Sequence, residues 1–111
     1  MLPKNSRISR KEFPNLLKSS SFYHSPHFSL RVAHSTKPQI AVSVSKKISK
    51  KATDRNTVRR KTYSVIYKYL KRLKPKMMLF VAKKGADNIK GVNLEKEIDN
   101  LLSVAGLVER D

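Results

Sequence analysis

The sequence is short, strongly basic and free of cysteine, with 111 residues, 25 Lys and Arg against 8 Asp and Glu, and a formal net charge of +17 at pH 7. This length indicates one domain, residues 1–111, and the lack of cysteine excludes disulfides, thiol chemistry and Cys-containing zinc sites. The longest apolar run, Met77 to Ala82, is too short to span a membrane and no signal-peptide pattern opens the chain, so we expect a cytoplasmic protein.

The first predicted element is a short helix over about residues 9–18. Ser9 and Glu12 have the spacing of a capping box, which begins a helix by satisfying its free backbone N–H groups. Phe13 and Leu17 lie one turn apart, so they share one face of this helix. That face fits a place in the protein core as well as it fits a ligand.

Two segments that alternate apolar and polar residues follow, and each predicts a half-buried strand. They are Phe28–Val32 and Ile40–Ser45, separated by residues 34–38, which have the composition of a turn. Neighbouring strands joined by a short turn predict an antiparallel hairpin. A further strand fits near Phe22-Tyr23.

A long helix is predicted next, from a cap at Thr53 or Asp54 to about Leu73, because Pro75 cannot continue a helix. Met77 to Lys83 then has an almost continuous apolar character, which predicts a strand that is covered on both faces.

The last predicted helix begins with a cap at Asn93 and ends before Gly106, since glycine favours the position just after a helix. Glu95 and Glu97 would lie in its first turn, where the helix dipole favours negative charge. The order α-β-β-(β)-α-β-α predicts an α+β fold, a single-domain α/β sandwich with helices against one sheet.

Positive charge is concentrated in the middle of the chain. Residues 46–84 contain 15 Lys and Arg and a single acid, Asp54, whereas residues 85–111 contain 3 Lys and Arg and 6 acids. Such a field predicts a polyanionic partner. Nucleic acid fits better than an anionic membrane surface, because no long basic amphipathic helix stands alone.

Two basic motifs lie within this region, Ser45-Lys46-Lys47 at a predicted strand end and Arg55-Asn56-Thr57-Val58-Arg59-Arg60 at a predicted helix start. Arginine binds phosphates and base edges through two parallel hydrogen bonds, and asparagine offers both a donor and an acceptor. Together these motifs resemble the signature of the bacterial ribonuclease P protein family. The resemblance continues in Leu2-Pro3-Lys4 with Arg7-Ile8, in Glu12-Phe13 with Leu16-Leu17, in Met78–Ala82 and in Leu101–Leu107.

The family resemblance implies that the protein is the non-catalytic subunit of an enzyme that matures the 5′ ends of tRNA. It implies that an RNA subunit holds the catalytic Mg²⁺ ions, and that the protein, a monomer in the ribonucleoprotein, binds this RNA and the single-stranded 5′ leader of precursor tRNA. It also implies an uncommon left-handed crossover in the strand–helix–strand unit around the long helix.

The residues and the resemblance together predict two contact surfaces. The RNA-binding surface comprises Lys46, Lys47, Lys50, Lys51, Arg55, Asn56, Arg59, Arg60 and Tyr63. The leader-binding cleft comprises Phe13, Leu17, Arg31, Ser43 and Ser45.

Several positions depart from the family pattern. Thr57 replaces an arginine, and the segment of residues 49–54 is one residue longer than usual. Leu17 replaces an aromatic residue, so stacking is lost there, whereas Arg31 stands where tyrosine is frequent and can itself stack on a base. Tyr63 replaces a basic residue, which exchanges a phosphate contact for stacking.

The residues needed for self-contained hydrolysis are scarce. Asp54 is the one acid between Glu12 and Asp87, and a nuclease that holds its own metal ions normally needs carboxylates. The three histidines lack the spacing of zinc ligands. We therefore predict no catalytic residue and no metal site in the protein. The alternatives are a generic RNA-binding or ribosomal protein of similar fold and, less in keeping with the few acids, an independent metal-dependent ribonuclease.

Overall fold

The computed structural model describes residues 21–108, which form one mixed four-stranded sheet with two helices on one of its faces. The strands are β1 (Ser21–His24), β2 (Phe28–His34), β3 (Gln39–Ser43) and β4 (Lys76–Ala82), and the helices are α1 (Ala52–Tyr67) and α2 (Gly91–Val104). Short 3₁₀ turns cover Leu70–Arg72 and Ala86–Asn88. The predicted N-terminal helix, with Phe13 and Leu17, lies outside the described residues, so a single domain over 1–111 stays a prediction.

The strand order is β1-β2-β4-β3, which corrects the predicted hairpin. β4 lies between β2 and β3, antiparallel to β2 and parallel to β3. A strand that is apolar along both faces gains most from the middle of a sheet, and this separates the two alternating strands. The hairpin that does form joins β2 to β1, which confirms a strand near Phe22. The left hand of the β3–α1–β4 crossover stays a prediction.

The main core lies between the sheet and the two helices, as an α/β sandwich requires. Fully buried side chains come from β2 (Phe28, Leu30), β3 (Ile40), β4 (Met78, Phe80), α1 (Ile66) and α2 (Ile98, Leu102). Burying a side chain of this size contributes about 1.5–3 kcal/mol. None of the helices within residues 21–108 is long and apolar enough to cross a membrane.

The other face of the sheet carries a smaller buried cluster, in which Met77 and Ala33 pack with Ala41 and Leu79. β4 is thus covered at Met77 and half-buried at Leu79 on the side away from the helices, as its apolar run predicts. This second face also carries candidate residues, described below.

Helix α1 differs from its prediction at both ends. Its N-cap is Lys51, which makes no side-chain cap, so Asp54 lies in the first turn and its negative charge complements the helix dipole there. The α-helix ends at Tyr67 rather than near Leu73. In the following 3₁₀ turn Leu70 is partly buried against the core, and Leu73, the extended residue that ends the turn, is buried in it.

Helix α2 begins at Gly91, two residues before the predicted cap Asn93, so no acid lies in its first turn and the predicted dipole contact is wrong. Glu97 instead binds the β1–β2 turn. Its carboxylate accepts the backbone N–H of His27 at 2.8 Å and the hydroxyl of Ser25, and it contacts His27 Nδ1 at 2.7 Å.

The end of α2 is as predicted. Gly106 has φ of 68°, a left-handed conformation that favours glycine, and its N–H donates to the carbonyl of Ser103 at 3.1 Å. The N–H of Leu107 donates to the carbonyl of Leu102 at 2.9 Å, which completes a Schellman motif. Leu107 then enters the core.

Candidate nucleic-acid interface

The loop between β3 and α1 presents four lysines to solvent. A turn closed by the Ile48 N–H and the Ser45 carbonyl, at 3.1 Å, places Ile48 against the core. The exposed lysines on either side of it are Lys46, Lys47, Lys50 and Lys51. The predicted loop lysines therefore share one surface, where flexible ammonium groups suit contact with phosphates.

Arg55 fastens this loop to the helix. Its Nη1 donates to the carbonyls of Ser49 and Lys50, each at 2.9 Å, and its side chain is half-buried. These two bonds use one terminal nitrogen, which leaves the other donors of the guanidinium group for a ligand. The residue predicted as an RNA contact therefore also organises the neighbouring lysines.

The next turn of α1 aligns the remaining motif residues. Arg59 Nη2 donates to Asn56 Oδ1, and Arg60 Nη2 lies 3.4 Å from the hydroxyl of Thr57. Thr57, which stands where the family pattern has arginine, donates to the carbonyl of Thr53 at 2.9 Å. At this position the chain has an orienting hydroxyl instead of another cation.

Tyr63 has a structural contact that the sequence did not indicate. The backbone N–H of Val42 in β3 donates to its hydroxyl at 3.0 Å, and its ring packs partly against the core. The ring also borders an open surface depression of about 610 Å³. That depression is lined by Thr53, Asn56, Thr57, Arg59, Arg60, Tyr63 and Ser64. The hydrogen bond depends on where β3 lies in the sheet, so no local signal could have revealed it.

A second concavity lies where α1 meets the edge of β3 on the second face of the sheet. This groove has a volume of about 420 Å³ and is lined by Ala41, Val42, Ser43, Val44, Arg59, Leu79 and Val81. Ser43 is exposed at the end of β3, and Ser45 is exposed in the loop beyond it. Because Arg59 borders both concavities, the motif helix and the groove form one continuous surface.

Arg31 lies on the same face of the sheet, in register with Leu79 of β4, which pairs in turn with Ala41 of β3. Its guanidinium carbon lies 3.9 Å from the centre of the Phe22 ring. Phe22 is half exposed and stacks on His24 with a centroid separation of 5.9 Å. Sequence reasoning missed Phe22, since its position beside Arg31 follows only from the pairing of β1 with β2.

The interface is positive and largely without internal counter-charges. Among the Lys and Arg side chains of residues 46–84, only that of Lys68 lies within ion-pair distance of a carboxylate in the described part of the chain, namely Glu95 at 3.2 Å. Within residues 21–108, no group of three or more His, Asp or Glu side chains is arranged to hold a metal ion. This surface can therefore bind anions, and phosphates match its forked and point-charge donors.

Known proteins show the same fold and a family relationship. The ribonuclease P family model matches residues 2–106. The structure is similar to the ribonuclease P protein of Staphylococcus aureus, with a TM-score of 0.86 and 18% identity over 94% of this chain and 98% of that chain. It is also similar to that of Thermotoga maritima, with a TM-score of 0.80 and 17% identity over 88% and 96%. No curated protein sequence gives a significant match. Since the family model spans nearly the whole chain, this protein belongs to the ribonuclease P family, as its sequence predicted, and serves in tRNA processing.

Proposed function

We propose that this protein binds the RNA subunit of ribonuclease P through the β3–α1 loop and the motif face of α1, and that the RNA performs the cleavage. The observation that carries this proposal is the joined surface of Lys46, Lys47, Arg55 and Arg59, whose charges have no described carboxylate partner. Neutralising phosphates at this surface lets two polyanions, the RNA subunit and precursor tRNA, approach each other. The protein acts as a monomer in a cytoplasmic ribonucleoprotein.

The Mg²⁺ that this chemistry requires is, in our proposal, held mainly by RNA. Magnesium is bound through carboxylates and phosphates in near-octahedral geometry. The described residues offer no carboxylate cluster that fits such an ion, and the basic surface contains a single acid, Asp54. We therefore assign no step of the reaction to a metal ion held by this chain.

We further propose that the groove on the second face binds the single-stranded leader of precursor tRNA. Three features support this: the apolar floor at Leu79 and Val81, the small polar Ser43 at the rim, and Arg59 at the junction with the motif helix. Arg31 adds a cation on the same face of the sheet. Apolar and stacking contacts beside a basic strip suit unpaired nucleotides. Ser45, together with Phe13 and Leu17 outside the described residues, remains a predicted member of this cleft.

A cleavage assay tests directly whether the RNA subunit, rather than the protein, performs the reaction. Purified protein with Mg²⁺ should leave precursor tRNA intact, whereas adding a bacterial ribonuclease P RNA at limiting Mg²⁺ should give 5′ cleavage that the protein stimulates. Robust cleavage by thoroughly RNA-free protein would contradict the proposal. RNA binding without stimulated cleavage would favour a general RNA-binding protein instead.

A further inference from the structure

A second basic cluster lies at the opposite end of α1 from the motif residues. It consists of Lys68, Lys71, Arg72, Lys74 and Lys76, and we call it the distal patch. Residues 68–76 contain no acid. All members of the patch are exposed except Lys76, which is half-buried at the start of β4.

The backbone of the distal patch is held firmly. Leu73 is buried in the core and Leu70 packs partly buried against it, whereas Lys71 between them is exposed. The N–H of Lys74 donates to the carbonyl of Leu107 at 2.8 Å. The positive groups therefore project from a fixed frame, which lowers the ordering cost of binding a ligand.

The distal patch has little internal counter-charge. Lys68 pairs with Glu95 at the surface, whereas Lys71, Lys74 and Lys76 have no carboxylate within ion-pair distance among residues 21–108. Like charges at this density repel one another. A bound polyanion would relieve that repulsion.

Aromatic side chains lie among these cations. Tyr67 is 51% exposed, and the guanidinium carbon of Arg72 lies 5.2 Å from the centre of the Tyr69 ring. Burial and then the nearby Asp99, which hydrogen-bonds Tyr69, raise the pKa of Tyr69. Interleaved basic and aromatic side chains are typical of surfaces that bind RNA.

The exposed side of α1 connects the distal patch to the motif residues. Asn56, Arg60 and Tyr67 are all exposed and fall within about 40° of one another around an ideal helix. The 16-residue helix is about 24 Å long. Charges act over only about 8 Å at physiological salt, so a phosphate bound at one end does not neutralise the other end.

We propose that the distal patch is a second contact with the RNA subunit, made to its phosphate backbone, and that this RNA follows the exposed side of α1 between the two clusters. The inference rests on the proposed function, because the motif face identifies the partner. Lysine contacts with phosphates raise affinity and fix orientation without reading sequence. Loss of the patch should therefore weaken binding to any ribonuclease P RNA.

Two double variants that remove equal charge test this contact. Lys71→Ala/Lys74→Ala changes the patch, and Lys90→Ala/Lys96→Ala removes two exposed lysines beside and on α2 as the control. In a salt series, the patch variant should bind the RNA subunit about tenfold more weakly at low salt, and the slope of log affinity against log salt should fall by about two. The control should keep the wild-type slope. Lys71→Arg/Lys74→Arg should restore binding, since phosphate contact needs the charge.

Tethered cleavage locates the contact on the RNA. The chain has no cysteine, so a reagent that generates hydroxyl radicals can be attached at a single new cysteine, in Lys71→Cys or in Ser64→Cys. The two tethers should cleave separate nucleotides of the RNA subunit. If both double alanine variants bind the RNA subunit with the same affinity and the same salt dependence, while Arg59→Ala binds it more weakly than wild type, the distal contact is overturned. The proposed contact at the motif face would then still stand. Cleavage of precursor tRNA instead of the RNA subunit by the Lys71 tether would overturn the choice of partner, and failure of the wild-type protein to bind this RNA would overturn both proposals.

Discussion

Arg55 makes an observed contact with the β3–α1 loop in addition to the RNA contact that we propose for it. One terminal nitrogen of its guanidinium group donates to the carbonyls of Ser49 and Lys50, which leaves the remaining donors for the RNA contact that we propose. A lysine ammonium carries its three N–H donors on one nitrogen at the end of a flexible stem and lacks the planar fork of arginine. If the proposed RNA contact is made, protein stability and RNA affinity both depend on this one side chain.

Replacing Arg55 with lysine keeps the positive charge but removes the planar guanidinium group, so it tests which of the two holds the loop. We expect Arg55→Lys to lower the free energy of unfolding by about 1–2 kcal/mol, since two hydrogen bonds to the loop are lost. The matched control is Arg60→Lys, because Arg60 is exposed and its contact with Thr57 is long, and its stability should stay within about 0.5 kcal/mol of wild type. Urea denaturation measures both. Equal stabilities of the two variants would show that Arg55 does not fasten the loop.

Helix α2 contributes little charge to the interface, yet it positions the sheet through one carboxylate. Burial alone would raise the pKa of Glu97, but hydrogen bonds from Ser25 and His27 outweigh it and lower the pKa below its ordinary value of 4.5. The side chain is 9% exposed and links α2 to the β1–β2 turn. This contact therefore fastens α2 to the turn between β1, which carries Phe22, and β2, which carries Arg31.

The Glu97 contact should depend on pH in a defined direction. A carboxylate whose pKa is lower in the folded than in the unfolded state stabilises the fold above its unfolded pKa, and this contribution is lost as pH falls through the folded pKa. We expect Glu97→Gln to be less stable than wild type at neutral pH and the difference to shrink below about pH 4.5. Glu95→Gln, at an exposed ion pair, should change stability by less than about 1 kcal/mol at either pH. A Glu97→Gln difference that is constant across this range would contradict the assignment.

The end of α2 offers a second test at the same scale. Gly106 adopts a left-handed conformation with open space around its Cα, so Gly106→Ala should destabilise the protein by about 1 kcal/mol through backbone strain alone. Gly91→Ala is the control, since that glycine begins the helix, has no positive φ and has no atom near an added Cβ. Thermal unfolding should show a lower Tm for the first variant and an equal or higher Tm for the second. A lower Tm for Gly91→Ala than for Gly106→Ala would mean that the Schellman motif is not what ends this helix.

At the scale of the whole molecule, local pattern predicted which elements exist but not which elements become neighbours. Alternation placed β2 and β3 correctly along the chain, and the ordered set of motifs around Ser45-Lys46-Lys47 and Arg55–Arg60 carried the family resemblance, which the family model confirms. Strand order depends on pairing between distant segments, and nothing in either strand indicates that β4 inserts between them.

Residue type and spacing were enough to propose the candidate site residues, which remain predictions. The partners of these residues could not be predicted, because hydrogen bonds such as that from Val42 to Tyr63 require the finished arrangement of loop, helix and sheet. Likewise, the sequence did not indicate Phe22, because its contact with the predicted residue Arg31 arises only when β1 pairs with β2.

The hydroxyl of Tyr63 also bears on how this protein behaves at high concentration. In the sheet formed by residues 21–108, β3 is an edge strand of five residues, and an edge strand presents unpaired backbone groups to any other extended chain. Because Val42 N–H already donates to Tyr63, that edge has one donor fewer for a second molecule to pair with. The helix that we propose binds RNA would then also protect the sheet from pairing with a strand of a second molecule. Tyr63→Phe removes the hydroxyl without changing the charge, so this variant should self-associate more readily than wild type in the absence of RNA.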